Sequence, residues 1–430
     1  MLSRTGADPA RVRLAPGGGV TSLPQDRALD MTWDIPESIA AKADLRRDDG
    51  WWAEPTRDGV IVRSDSLRKA YVEATGRCNL QCAVCPRQAW AEGAGDMTAG
   101  VYERLVSGLP DTPPDRFTLA FGGFGEPTVH PRFLDMVARA RRAQRRVELI
   151  TNGTTMTAEF ARELTALGVA QVTVSVDGGS DEAYSAMRGI DRDAALEAVA
   201  RLREQARRGS HRLSIGVACV ATARTAGSLP ALIATAQRLG LDFVSISNVV
   251  PHTREMAGEA LFAYAGQVSN MSPDTWRPRL AVGRLDLSAS TRPLLDALLR
   301  QLPVVPPPAL DRGEWHNRCR FARDGVVAVS WDGRVTPCLS LLYTHTEHLG
   351  GRDKTVRSFD VGHVERAPLR EIWRDPPFRA LRARLREFDM SPCLACGGCG
   401  ISETNEGDCF GTPFPACSEC LWAQGIVLCP

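Results

Sequence analysis

Between residues 67 and 250 the chain alternates two hydrophobic rhythms. Short runs rich in β-branched residues read as strands: KAYVEAT (69–75), RFTLAFG (116–122), VELIT (147–151), QVTVSV (171–176), LSIGVACV (213–220) and DFVSIS (242–247). Between them apolar residues recur three and four apart, as in PRFLDMVARARRAQ (131–144) and DAALEAVARLREQA (193–206), the period of an amphipathic helix. Six strand–helix units of about thirty residues each predict an α/β architecture with a parallel sheet, open or curled toward a barrel. No similar segment recurs at fixed spacing, which disfavours a solenoid.

Outside this core the pattern changes. Residues 1–66 are rich in Gly, Pro, Arg and Asp with little periodicity, and read as a loosely ordered arm anchored by Trp33, Trp51 and Trp52. Residues 251–318 form a bridge with a Pro-rich patch (LPVVPPPAL) and one helix (TRPLLDALLRQL), its strands not assignable. From 319 to 430, Cys, Gly and turn residues dominate apart from the helical PLREIWRD and PPFRALRARLREF. Such a segment buries little core of its own, so metal is expected to substitute for it.

Charge narrows the function classes. With 52 basic and 51 acidic residues the formal net charge is +1, so neither a nucleic-acid stripe nor a polybasic membrane arm is expected. Only Lys42, Lys69 and Lys354 are lysines, and the arginines are scattered. The N-terminus lacks an apolar signal region and no 18 apolar residues run together, so a cytoplasmic protein is expected. In that setting 13 cysteines point to metal or redox chemistry before disulfides. Cys78, Cys82 and Cys85 form one group, nine lie between Cys319 and Cys429, and Cys219, in the apolar VACV, reads as a core residue.

TGRCNLQCAVCPRQAW is a C-x3-C-x2-C set at the end of the first strand. Three thiolates on one loop can hold three irons of a [4Fe-4S] cluster and leave the fourth iron open as a binding site. Parallel α/β sheets and barrels place their chemistry at such strand ends. The alternative is part of a zinc site, which wants a fourth ligand close by.

These residues resemble the radical S-adenosylmethionine (SAM) superfamily, whose motif follows the first strand of a partial (β/α)6 barrel. The resemblance covers roughly 67–250. It implies that the amino and carboxylate groups of SAM chelate the open iron, and that one electron cleaves SAM to methionine and a 5′-deoxyadenosyl radical. That radical takes hydrogen from a substrate. In FGGFGEP, Gly122, Gly123, Gly125 and Glu126 are similar to the family's Gly-Gly-Glu element, whose backbone meets the methionine amino group; glycine lets a main chain approach closely. At the fourth strand VTVSVDGG offers Ser175 and Asp177 as SAM contacts, and Arg188 is either a bidentate partner for the SAM carboxylate or a solvated surface residue. Asn152 and Asn248 end the third and sixth strands, as SAM contacts or as turn formers. Val84 stands where the family usually has an aromatic residue, so adenine packing is expected to be aliphatic or supplied elsewhere.

Cys319, thirteen residues, then GRVTPC ending at Cys338 resembles the entry of a SPASM auxiliary-cluster domain. Cys393, Cys396, Cys399, Cys409, Cys417, Cys420 and Cys429 follow in a pattern that departs from the usual one. Eight thiolates fill two auxiliary [4Fe-4S] clusters, leaving one cysteine spare and the assignment open. SPCLACGGCGISETNEGDCFGTPFPACSECLWAQGIVLCP resembles radical SAM/SPASM proteins associated with tungsten-cofactor oxidoreductases. The resemblance implies an enzyme that matures a tungsten- or molybdenum-pterin oxidoreductase. Its implied partners are SAM, a ferredoxin- or flavodoxin-type electron donor and a protein or peptide substrate, with no nucleic acid or membrane. The alternatives are modification of a ribosomally made peptide, a non-catalytic Fe–S redox sensor and a zinc-binding structural protein.

Overall fold

The strands of the main sheet divide their residues strictly by face. Strand β1, Lys69–Val72, alternates Lys69 and Tyr71 with the fully buried Ala70 and Val72. The next five, β2 Thr118–Phe121, β3 Arg146–Thr151, β4 Gln171–Ser175, β5 Ser214–Ala221 and β6 Phe243–Asn248, pair in sequence order, all parallel. Residues paired across parallel strands share a face. Leu119, Phe121, Val147, Leu149, Val172, Val174, Ile215, Val217, Val244 and Ile246 therefore form one apolar surface. The helices cover it: Phe121 meets Phe133 edge-on with centroids 5.2 Å apart. The other face carries Lys69, Tyr71, Glu148, Gln171, Thr173, Ser175 and Ser245, a mixed surface suited to a polar interior.

Helices α1 Ala99–Ser107, α2 Phe133–Arg142, α3 Ala158–Ala166, α4 Asp181–Arg188, α5 Asp193–Arg208, α6 Ala223–Ala226, α7 Leu229–Arg238 and α8 Arg254–Glu259 supply the crossovers. Their starts are set locally: the hydroxyls of Thr98, Thr157 and Ser180 accept the amides of Val101, Phe160 and Ala183. All six expected strands are present, in the expected α/β partial barrel.

This computed structural model describes residues 65–430 apart from 91, 210, 263–278, 283, 284, 287, 302–318, 389, 392, 394–398 and 430. Of residues 1–64 it describes the backbone of five short strands, among them the hairpin Trp51–Thr56 and Gly59–Ser64. The expected loose arm, with its anchoring tryptophans, otherwise lies outside the described residues. Chain contacts divide the molecule into Met1–Leu67 and Arg68–Pro430.

Among the described residues, the expected bridge holds α8, one strand and a second helix, and the chain beyond it returns to the sheet. Strand β7, Arg279–Val282, extends the sheet parallel to β6, and helix α9, Arg292–Gln301, matches TRPLLDALLRQL. After α10, Arg320–Asp324, strand β8, Val326–Val329, pairs parallel with β1 on its other side. Strand β9, Arg334–Thr336, then continues the sheet antiparallel. The C-terminal segment therefore does not rely on metal alone for a core. It borrows one: Phe321, Leu342 and Tyr343 pack with Tyr71, Ala120 and Ala328 on the mixed face of the sheet. Strands β10 His345–Leu349 and β11 Arg352–Val356 form a hairpin, followed by β12 Gly362–His363, α11 Leu369–Arg374 and α12 Pro376–Glu387.

Candidate active site at the strand ends

The loop leaving β1 carries Cys78, Cys82 and Cys85 to one place. All three pack against a cluster of Leu80, Val84, Met187, Val249 and Met256, so Val84 lends aliphatic surface where an aromatic ring was the usual choice. Donors surround the sulfurs. Cys78 Sγ accepts the Leu80 amide at 3.4 Å and lies 3.9 Å from Asn152 Nδ2, while Arg188 Nη1 approaches Cys82 Sγ at 3.9 Å. Burial pushes the Cys82 thiol up to about 11; Arg188 opposes this, and Cys85, Asp177 and Cys78 reinforce it. Burial also raises Cys85, against its hydrogen bond from the Arg87 amide. Metal binding here must displace protons. N–H donors and a cation at the sulfurs favour the thiolates once formed, so the donor set fits an iron–sulfur cluster. Among the described residues no three His, Cys, Asp or Glu side chains converge on a single metal ion. A cubane takes one thiolate per iron, so its ligands need not meet at a point.

The glycine-rich turn after β2 is fitted to this loop. A Cβ on Gly125 would lie 1.8 Å from the Thr75 carbonyl oxygen, and the neighbouring Glu126 amide donates to Arg77 O at 2.8 Å. Gly125 thus serves a backbone-to-backbone approach within the protein, and Gly123 has φ +127°, a region glycine occupies without strain. A Cβ on Gly122 would press on Ile150 Cδ1 at 2.9 Å. The Glu126 carboxylate is taken up internally by Thr128 N (3.1 Å), Thr128 Oγ1 (2.6 Å), Thr151 Oγ1 (2.7 Å) and Asn152 N (2.7 Å). It joins the ends of β2 and β3, which leaves any cofactor contact of this turn to its backbone. Asn152 accepts the Thr154 amide at 2.9 Å, the turn reading, and donates to Asn79 Oδ1 at 2.9 Å inside the cysteine loop.

Arg188 is no surface residue. Its side chain is 11 % exposed, and Nε donates to Asp177 Oδ2 at 2.7 Å; Asp177 Oδ1 accepts the Val220 amide at 2.7 Å. Burial works against the guanidinium charge, but Asp177 and Cys82 together hold its pKa above the ordinary value. Ser175 is half-buried at the end of β4, paired with Ala218. Asn248, at the end of β6, holds the tail: Nδ2 donates to Ile426 O at 3.0 Å, while Leu428 N donates to Ser247 Oγ at 2.9 Å. Both bonds seat the C-terminal tail on the end of β6, where Leu421, Ile426 and Val427 pack with Val250 and Leu349. Cys219 is a buried core residue whose sulfur accepts the Gly178 amide at 3.4 Å.

Seven of the nine later cysteines fall into two neighbourhoods. Cys319 and Cys338 pack against the Tyr71–Tyr343 cluster, joined there by Cys429. Burial raises Cys338 and Cys417 well above the ordinary thiol value, and Cys319, Cys417 and Cys420 lie close enough to Cys338 to add to its rise. Elsewhere Cys393 Sγ is 2.9 Å from Ser391 Oγ, with Cys409 within electrostatic reach. Asp408 knots this second neighbourhood, accepting Ser391 N and Thr412 N at 3.1 and 3.0 Å and Ser418 Oγ at 2.5 Å. Cys399 is exposed, and Cys396 lies outside the described residues. The buried Lys354 and the half-buried Arg352 meet Glu419 at 3.3 and 2.6 Å, and Lys354 acts on Cys393, Cys417 and Cys420 alike.

Over residues 72–217 the sequence matches the Radical SAM superfamily, and over 319–400 the SPASM iron–sulfur cluster-binding domain. It is 31 % identical over 371 residues to the tungsten-containing aldehyde ferredoxin oxidoreductase cofactor-modifying protein of Pyrococcus furiosus, covering 85 % of this chain and 97 % of that one. The chain belongs to the radical SAM superfamily. As a member it is an enzyme whose cofactors are a SAM-binding [4Fe-4S] cluster and SPASM auxiliary iron–sulfur clusters. Mycofactocin maturase of Mycobacterium tuberculosis is 30 % identical over 345 residues, 80 % of this chain and 78 % of that one. In fold the chain is similar to Streptococcus suis SuiB bound to its precursor peptide SuiA, with TM-score 0.54 and 14 % identity over 83 % of this chain and 76 % of that one. No helix among the described residues is long and apolar enough to cross a membrane.

Sequence reasoning missed Glu73 and Tyr343. Glu73, just past β1, is 2 % exposed and accepts hydrogen bonds from the Tyr343 hydroxyl and, at 3.3 Å, from the Phe124 amide. Tyr343 stacks on Trp90 with centroids 4.5 Å apart and meets Phe124 edge-on. The signal was present in KAYVEAT: Lys69, Tyr71 and Glu73 alternate with Ala70, Val72 and Ala74, placing an acid on the mixed face at the active end.

Proposed function

We propose that Cys78, Cys82 and Cys85 hold the SAM-binding cluster and that the protein matures a tungsten- or molybdenum-pterin oxidoreductase, acting on that enzyme's polypeptide or on its pterin cofactor. The carrying observation is the junction of the three-thiol loop with the Gly122–Glu126 turn at one strand edge, in a chain that spans nearly all of a tungsten-cofactor-modifying relative. With SAM bound, the cluster supplies a 5′-deoxyadenosyl radical that abstracts hydrogen from the substrate. The chain's residues arrange the site. Arg188 and Asn152 stabilise the thiolates, Glu126 fixes the turn, and the apolar wall of Leu80, Val84 and Met187 limits water.

Cys319, Cys338, Cys417 and Cys420 form the first auxiliary ligand set in this reading, with Cys393, Cys396, Cys399 and Cys409 as the second. Electrons come from a ferredoxin- or flavodoxin-type donor in the cytoplasm. The test has two parts. Protein reconstituted without oxygen is expected to form 5′-deoxyadenosine with dithionite. Deletion of the gene is expected to leave the companion oxidoreductase inactive or poor in tungsten. A fully active, normally metallated companion excludes the maturase role.

The similarity to mycofactocin maturase and to peptide-bound SuiB favours a second reading, modification of a ribosomally made peptide. A mass change in a short peptide co-expressed with this protein would select it.

A further inference from the structure

The contact between Glu73 and Tyr343 joins segments 270 positions apart, the first barrel strand and the chain just after Cys338. Glu73 Oε1 takes the Phe124 amide of the glycine-rich turn, and the amides of Gly125 and Trp331 also favour its charged form. A Cβ on Gly123 would sit 3.3 Å from Glu73 Cβ, so the acid is the floor on which the turn rests. Tyr343 is itself held from three sides: Trp90 from the cysteine loop, Phe124 from the turn, and Arg334 with its Cζ 5.6 Å from the ring centroid. One hydrogen bond thus links the auxiliary segment, through one carboxylate, to the backbone that faces the SAM position.

We propose that Tyr343 and Glu73 are positioning residues that make SAM affinity depend on the seating of the auxiliary segment. This rests on the reading that the Gly122–Glu126 turn binds SAM. The turn amides need a carboxylate acceptor, and the Tyr343 hydroxyl keeps it charged. Burial pushes the Glu73 carboxyl up to about 7, against the bonds from Tyr343 and the amides of Phe124, Gly125 and Trp331. Arg334, paired with Asp332, is the nearby ion pair behind Tyr343. Protonation as pH falls through that range weakens the acceptor and loosens the turn. Loss of the Tyr343 hydroxyl removes a bond that favours the ionised form, so the transition moves to higher pH.

The experiment is equilibrium binding of SAM to the anaerobically reconstituted full chain between about pH 6 and 9, alongside iron content. Tyr343→Phe is expected to bind SAM roughly tenfold more weakly at neutral pH, with full iron and its affinity transition shifted upward. Glu73→Gln, which keeps hydrogen-bonding capacity but cannot ionise, is expected to lack the transition. SAM's own amino group titrates in every variant, so the readout is the difference from the unmodified protein. An unchanged affinity and transition in Tyr343→Phe, or a wild-type transition in Glu73→Gln, would overturn the coupling. Failure of the unmodified protein to bind SAM would instead overturn the assignment of the turn.

Discussion

At the scale of single residues, the site is made by atoms that have no room to move. Gly125 is the sharpest case, because a side chain there would strike the Thr75 carbonyl oxygen at 1.8 Å, and Thr75 is itself tied by its bridge to Asp96. Gly125→Ala is expected to destabilise the protein by more than the ~1–3 kcal/mol typical of overpacking, read as a lower thermal midpoint and poor iron incorporation. Wild-type stability would show that the two loops separate freely. Arg188 tests electrostatics in place of sterics. Removing it alone strands the buried Asp177, at a cost of about 3–5 kcal/mol, so the informative variant is Arg188→Met combined with Asp177→Asn. With the proposed cluster at Cys82, the cation beside that sulfur favours its electron-rich state. Its removal is expected to lower the midpoint potential of that cluster while iron content holds, measured by redox titration followed by electron paramagnetic resonance. An unchanged potential would mean that Arg188 does not act on the sulfur.

At the scale of elements, the mixed face of the sheet accounts for both what the sequence disclosed and what it hid. The six strands and their helices were legible because each carries its own period, and the cysteine triplet because its thiols sit within eight residues. The tasks of Asn248 and Tyr343 were hidden because their partners, Ile426 and Glu73, lie 178 and 270 positions away. No local pattern encodes such pairings. The same reason concealed β8: VVAV reads as a strand of any sheet, yet it pairs with the side of β1 that β2 leaves open. The apparent domain border at 319 is thus crossed by a shared sheet and a shared apolar cluster. A chain ending at residue 318 would expose the open edge of β1 along with Tyr71 and Ala120. It is expected to aggregate instead of yielding a soluble barrel, because unpaired edges and bared apolar surface both promote association. A monodisperse, cooperatively unfolding truncated chain, by gel filtration and thermal melting, would contradict this.

At the scale of the whole molecule, the proposed ligand sets divide twelve cysteines into three, four and four, with Cys429 over. The tail places that last thiol beside the indole of Trp422, whose Nε1 donates to its sulfur at 3.2 Å, and within the cluster around Tyr71. Burial pushes Cys429 up to about 11, opposed by the bond from Trp422 and the charges of Lys69 and Arg320. Two auxiliary clusters take eight thiolates, and the proposed ligand sets leave Cys429 as the ninth. Full reconstitution is therefore expected to give about twelve irons and little zinc, and Cys429→Ser should keep them all. The grouping of the other eight follows from a double substitution. If Cys393 and Cys420 belong to different clusters, as their separate neighbourhoods imply, each single Ala variant loses about four irons and the pair loses about eight. If they share one cluster, the double variant loses no more than either single one. Lys354, within reach of both neighbourhoods, predicts a milder result in its own right: Lys354→Met should retain the iron yet lower the potentials of both auxiliary clusters, because one buried cation then stops serving two sites. A shift in one cluster alone would place that lysine with a single site.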